Sequence, residues 1–183
     1  SDTPGGMLTY AIPLYRLPQD VIDAEMKRIT DLGVTVKYGT RIGRDISLDQ
    51  LKQDFNAVYV AAGAQGSPKL GIEGEDAENV MTGLDFLKDV LEKKDVSPGK
   101  KAVVVGGGNT AVDAARVARR MGAEVTIIYR RTASEMPAYP EEVKDAGDEG
   151  VKIEYLCAPV KIDVNDANKA SAVTCVKMKT GEA

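Results

Sequence analysis

The chain has 183 residues, is 43% hydrophobic and 28% charged, and carries a formal net charge of −4. That length supports one solid domain or two small ones, and the acidic balance argues against a nucleic-acid partner, whose phosphate backbone it would repel. There is no histidine, which excludes Ser-His-Asp and Cys-His catalysis and histidine metal sites, and no apolar run approaches the ~20 residues of a membrane span.

Ser1–Pro18 is punctuated by Pro4, Gly5, Gly6, Pro13 and Pro18 and reads as loop and turns, with no signal peptide in its polar opening. Gln19–Leu32 has apolar residues at helical spacing and is stopped by Gly33. Val34–Tyr38 is expected as a strand, and Ser47–Gln53 as a short helix capped by Ser47. Ala57–Ala61 is a near-continuous apolar run, as in a strand buried on both faces. Gly63–Asn79, rich in Gly, Pro and acid, is the expected boundary. It separates a first domain, 1–64, from a second, 65–183.

The second part alternates regularly. A helix is expected around Gly83–Glu92, a strand at Lys101–Val105, a helix at Asn109–Met121 and a strand at Glu124–Tyr129. A helix follows at Pro140–Glu149 and a strand at Val151–Leu156. Lys161–Val164 and Ala172–Met178 read as a hairpin around Asn165–Lys169. The alternation predicts an α/β class protein. It is a Rossmann-like three-layer fold with a mostly parallel sheet covered on both faces, plus a C-terminal β-hairpin. Cys157 and Cys175 lie in no CxxC motif and read as small core or strand residues, so a reducing, cytoplasmic setting is expected.

The informative stretch is Lys101–Asp113, where Gly106-x-Gly108-x-x-Ala111 follows a strand and opens a helix. Gly106 permits a sharp turn off the strand. Gly108 has no Cβ to keep a pyrophosphate from the backbone, and Ala111 lets the helix pack close to the sheet. The helix N-terminus offers N–H donors and a partial positive charge to phosphates. The next strand ends in Tyr129-Arg130-Arg131 where NAD-binding chains carry an acid for the ribose 2′-OH. Two guanidinium groups suit a 2′-phosphate instead, so the dinucleotide expected is NADPH. Arg116, Arg119 and Arg120 read as a solvated helix face. Asp113 lies in the first turn, where an acid is favoured electrostatically.

With these motifs in hand, the chain resembles a known family. Val104–Asp113, Tyr129-Arg-Arg131 and Glu135-Met-Pro-Ala138 are similar to the NADPH-binding domain of the glutamate synthase small subunit, an NADPH-dependent FAD oxidoreductase. They are similar also to the matching region of dihydropyrimidine dehydrogenase. Gly5–Pro18 resembles the same family's flavin-side segment, with Ala11 where Gly is usual, and Ala57–Gly63 resembles its apolar strand and turn.

The resemblance implies an oxidoreductase that delivers hydride from NADPH to FAD. It implies that Gly106, Gly107, Gly108, Asn109, Thr110 and Ala111 meet the pyrophosphate, that Arg130 and Arg131 meet the 2′-phosphate, and that Met136 and Pro137 shape the adenosine side. Gly6, Met7, Leu8, Ile12, Arg16 and Leu17 would face the flavin in the intact protein. No side chain is expected to act as acid or base, because hydride transfer is the cofactors' chemistry. By the same resemblance the chain begins after an FAD-binding strand-turn-helix and ends before the second domain is complete. The 1–64 part is then a remnant of an FAD domain, and the fragment is expected to be inactive and not to retain FAD. The implied partners are the dinucleotide and a large amidotransferase or other electron-accepting subunit. A stand-alone dinucleotide-binding or regulatory module without turnover is the alternative.

Overall fold

The computed structural model describes residues 3–64 and 66–181. Ser1 and Asp2 of the polar opening, Gln65 at the expected domain boundary, and the last two residues lie outside the described residues. The chain divides into two compact units, Ser1–Gly66 and Ser67–Ala183.

The first unit is built of helices and turns. The expected loop at the front contains a one-turn helix, α1 (Met7–Tyr10). The helix α2 (Gln19–Asp31) ends at Leu32 and Gly33 as its spacing predicts. In α3 (Leu48–Asp54) the Ser47 hydroxyl accepts the Gln50 N–H at 3.0 Å, so the expected cap is in place. Neither expected strand forms: residues 34–38 and 57–61 have no regular secondary structure. A strand needs a neighbour to take its N–H and C=O groups, and among the described residues no backbone hydrogen bond joins either segment to another. Ile22 is the one buried large aliphatic side chain of this unit among the described residues, while Tyr59 is 93% exposed and Val60 73%.

The second unit carries the expected α/β order. A helix α4 (Gly83–Leu91) starts at Thr82, whose hydroxyl accepts the Asp85 N–H at 3.1 Å. Then come β1 (Lys101–Val105), α5 (Asn109–Arg120), β2 (Glu124–Ile128), α6 (Pro140–Asp148) and β3 (Lys152–Glu154). The three strands form a parallel sheet in the order β1-β2-β3, with Val104 beside Ile127 and Ile127 beside Ile153. The hairpin β4 (Cys157–Val164) and β5 (Ala170–Lys177) is antiparallel and longer than its sequence pattern suggests.

Helix α5 is the centre of this unit. Val112 through Ala118 are all buried, because α5 packs on β1 and β2 while also meeting α4 and α6. Its alanines combine high helix propensity with room for that close approach. Val125 and Ile127, fully buried, lie on the covered face of the sheet. The opposite face differs from the expectation of cover on both sides. It carries Lys101, Glu124 and Lys152, with Val103 49% exposed. Its C-terminal end, at Val105 and Ile128, borders a cleft of about 360 Å³ that Leu70, Ile72, Ala158 and Pro159 help line. A strand pattern of apolar residues shows that a face can be buried, not what is there to bury it.

Candidate functional site

The site sits at the C-terminal ends of β1 and β2, where open parallel sheets present their loops. Gly106 leaves β1 at φ 133°, a conformation that side chains disfavour, and its N–H donates to Ile128 O at 3.1 Å. A Cβ on Gly106 would stand 3.4 Å from Ala111 Cβ, so the expected close packing of turn and helix is present. Gly107 is under tighter constraint: a Cβ there would stand 2.6 Å from the ring of Tyr129. Around Gly108 the space is open: apart from its chain neighbours and its own helix backbone, a Cβ there would meet no atom of the described residues within 4 Å.

Gly108 caps α5 without a side-chain bond. The first N–H groups of a helix have no partner inside it. Among the described residues, those of Gly108, Asn109 and Thr110 donate to nothing. The Asn109 side chain is partly committed, its Oδ1 accepting the Tyr139 N–H at 3.0 Å. This fixes the amide's orientation and leaves its two N–H donors for an outside acceptor. Thr110 is exposed on its outer side, its methyl 3.4 Å from where a Cβ on Gly83 of α4 would lie.

Arg130 and Arg131 follow Tyr129, the first residue after β2. Both are exposed, and neither guanidinium donates a hydrogen bond among the described residues. Their backbone is held: Cys157 N–H donates to Tyr129 O at 2.9 Å and Leu156 N–H to Arg131 O at 3.0 Å. Beyond them a single 3₁₀ turn, Ala133–Glu135, carries a reciprocal cap between Thr132 and Glu135. The Thr132 N–H donates to Glu135 Oε2 at 3.1 Å, and these contacts hold the Glu135 carboxyl below the usual carboxylate range. Met136 is half-buried and Pro137 exposed, and the next residue, Ala138, donates its N–H to Gly107 O at 3.0 Å. The structure thus brings the glycine turn, both arginines and Met136-Pro137 into one neighbourhood.

Three expectations change. Arg116 is buried rather than solvated. It bonds Glu149 Oε1 at 2.7 Å, Asp145 at 3.2 Å and Glu142 as well, tying α5 to α6. Arg119 and Arg120 join the same contact, through Glu149 O at 2.9 Å and Glu149 Oε1 at 2.7 Å. Asp113 lies beyond the first turn of α5, which holds no acid, and is buried at 4% exposure, so the favourable first-turn placement expected of it does not apply. Tyr129, whose own role the motifs do not disclose, fills the space under Gly107 and donates its hydroxyl to Glu135 O at 2.8 Å. A tyrosine closing an apolar strand is the signal that could have found it, since a buried phenol needs a partner.

The flavin-side residues all lie in the first unit. Gly6 precedes α1, which carries Met7 and Leu8, and Ile12 N–H donates to Met7 O at 3.2 Å. Arg16 and Leu17 sit in the turn that closes on Pro13 O. No strand-turn-helix forms in this unit among the described residues. Cys157 and Cys175 are free thiols on β4 and β5, as expected of small strand residues. Burial, with the Cys157 contact second, pushes the Cys175 thiol up to about 11, which makes it a poor nucleophile. No helix among the described residues is long and apolar enough to cross a membrane.

The resemblance read from the motifs is borne out by comparison with known proteins. The chain is 45% identical over 182 residues to the NADPH-Fe(3+) oxidoreductase subunit beta of Geobacter sulfurreducens, covering 97% of itself and 27% of that protein. It is 40% identical over 190 residues to the glutamate synthase [NADPH] small chain of Escherichia coli, covering 97% of itself and 40% of that chain. It therefore spans between a quarter and two fifths of these relatives. Its fold is shared with FprA from Mycobacterium tuberculosis, solved as a His57Gln mutant, at a TM-score of 0.77 and 18% identity. That match covers 96% of this chain and 55% of the other. The family description "pyridine nucleotide-disulphide oxidoreductase" matches residues 20–183, nearly the whole sequence, and the chain belongs to that family.

Proposed function

We propose that residues 67–183 form the NADPH-binding part of a larger flavin-dependent oxidoreductase, in which hydride passes from NADPH to FAD. The observation that carries this reading is the run of N–H donors at Gly108, Asn109 and Thr110, which find no acceptor among the described residues, beside the open space at Gly108. Such a helix terminus accepts a pyrophosphate. Gly106 and Gly107 shape the turn, Ala111 seats it on the helix, and the Asn109 amide adds donors. Arg130 and Arg131 hold the 2′-phosphate by charge-assisted hydrogen bonds, and Met136 and Pro137 border the adenosine side.

Bound NADPH supplies the hydride, and the chain supplies position and field. The names of the relatives, with NADPH in both, support the cofactor. Their description as a subunit and a small chain supports a partner subunit, which in this reading accepts the electrons in a cytoplasmic setting. FAD fits less well within this chain. Its pyrophosphate needs a strand-turn-helix of its own, and the first unit forms no strand among the described residues. Gly6, Met7, Leu8, Ile12, Arg16 and Leu17 are accordingly assigned to the flavin only in the intact protein. On the same ground, the 183-residue chain alone is a dinucleotide-binding module without turnover.

Calorimetric titration with NADPH, NADH and FAD tests these assignments. NADPH is expected to bind clearly tighter than NADH, with no FAD bound by the 183-residue chain. The double variant Arg130→Ala, Arg131→Ala is expected to lose about 2–4 kcal/mol for NADPH, at ~1.5–3 for each hydrogen bond to a charged group, and little for NADH. Equal losses for the two cofactors would remove the arginines from the phosphate site.

A further inference from the structure

Arg130 and Arg131 have long exposed side chains that form no hydrogen bond or close ion pair among the described residues, although the Arg131 charge helps to lower the Glu135 carboxyl, and the loop that bears them is fastened at both ends. At its start Tyr129 is the last residue before the arginines. Its ring lies against Gly107, and its hydroxyl reaches forward to Glu135 O at 2.8 Å. Within the loop, Thr132 and Glu135 cap one another. At its end Ala138 N–H donates to Gly107 O and Tyr139 N–H to Asn109 Oδ1, both at 3.0 Å. Two of these fastenings, Tyr129 and Ala138, converge on the same glycine of the turn. The loop and the turn are therefore one mechanical piece.

We propose that Tyr129 is a specificity-determining positioning residue, locking the Arg130–Tyr139 loop to the glycine turn so that the 2′-phosphate and pyrophosphate sites are held in fixed register. This rests on the NADPH assignment above. A dinucleotide presents its 2′-phosphate and its pyrophosphate at a set separation, so a preset loop spares the ordering cost that a mobile one incurs on binding. NADH has no 2′-phosphate and draws nothing from where the arginines stand. Loosening the loop therefore penalises NADPH more than NADH, which of the contacts the loop supports shares with it only the adenosine-side contacts of Met136 and Pro137 and the Asn109 donors. Tyr129 itself touches neither phosphate in this scheme: it acts through Gly107 and through the backbone it pins. Glu135 is part of the same device, because its carboxylate is turned to the Thr132 N–H and hydroxyl and forms no ion pair with either arginine among the described residues.

The test is Tyr129→Phe in the full-length protein, which keeps the ring under Gly107 and removes only the hydroxyl. The dissociation constants of NADPH and NADH are measured separately, with the thermal midpoint as a check on folding. NADPH is expected to weaken about three- to tenfold, the range for one lost hydrogen bond, and NADH by less than about twofold. Thr132→Val, near-isosteric and at a partly exposed position, opens the internal cap and is expected to shift the selectivity the same way. It serves as the second arm should Tyr129→Phe unfold. Equal weakening of both cofactors in these variants means that the loop supports the fold only, and unchanged constants mean that it is not a clamp. Either result overturns the inference while leaving the NADPH assignment standing. A parent protein with no preference for NADPH over NADH overturns both.

Discussion

Gly107 and Gly108 are neighbours in one motif, but the structure gives them different work. A Cβ on Gly107 would stand 2.6 Å from the Tyr129 ring, which is itself pinned by the Glu135 carbonyl and cannot swing aside cheaply. Gly107→Ala is expected to destabilise the protein by about 1–3 kcal/mol, the usual range for overpacking, read as a lowered thermal or urea midpoint. Gly108 has nothing within 4 Å and an ordinary φ of −86°, so Gly108→Ala is expected to fold normally. Its cost falls on the ligand, because the new methyl occupies the approach of the pyrophosphate: NADPH affinity drops while the midpoint stays. A Gly108→Ala protein that binds NADPH as before would place the phosphates elsewhere. The GxGxxA spacing and the arginine pair are legible in the amino-acid sequence, because each is a local pattern with a chemical reason. The parts of Tyr129 and Asn109 are not. The Asn109–Tyr139 bond joins residues 30 positions apart, and no local periodicity encodes such a contact.

Among the elements, α5 and α6 show the same divide. Their limits follow the apolar spacing and the N-terminal Pro140 closely, but which side of α5 meets water does not. Three arginines near a helix C-terminus read as a solvated face until a second helix places Glu142, Asp145 and Glu149 opposite them. The Arg116 side chain is then 6% exposed and that of Glu149 23%. Glu149 is held at about 2, chiefly by the Arg120 hydrogen bonds, with burial opposing and Arg116 adding to the effect. Because this lies below its ordinary 4.5, the stabilisation is complete above that pH and is lost as the pH falls from about 4.5 towards 2. Glu149→Gln is expected to lower stability at pH 6 by about 1–3 kcal/mol, the cost of leaving charged donors short of an acceptor. Urea midpoints of variant and parent should converge near pH 2. A gap that stays constant from pH 6 to pH 2 would mean that the carboxylate's charge contributes nothing there.

At the scale of the whole molecule, the two units differ in how far their sequence patterns are realised. In Ser67–Ala183 each expected strand has a neighbour, and the buried residues converge on α5. In Ser1–Gly66 the strand-like segments 34–38 and 57–61 are as β-prone as β1 or β2, yet they form no strand and expose Val34, Tyr59 and Val60. Alternation and β-branching state a capacity to pair, and pairing needs a second chain segment at the right distance. Amide hydrogen exchange should record this difference directly in the 183-residue chain. Amides of Val112–Ala118 and Val125–Ile128 sit in the buried helix and the central strand, and are expected to exchange only with the largest opening of the second unit. Amides of 34–38 and 57–61 have no backbone acceptor among the described residues and are expected to exchange within the earliest time points. Slow exchange at 57–61 would show that this segment has found a strand partner after all, and that the first unit carries a sheet.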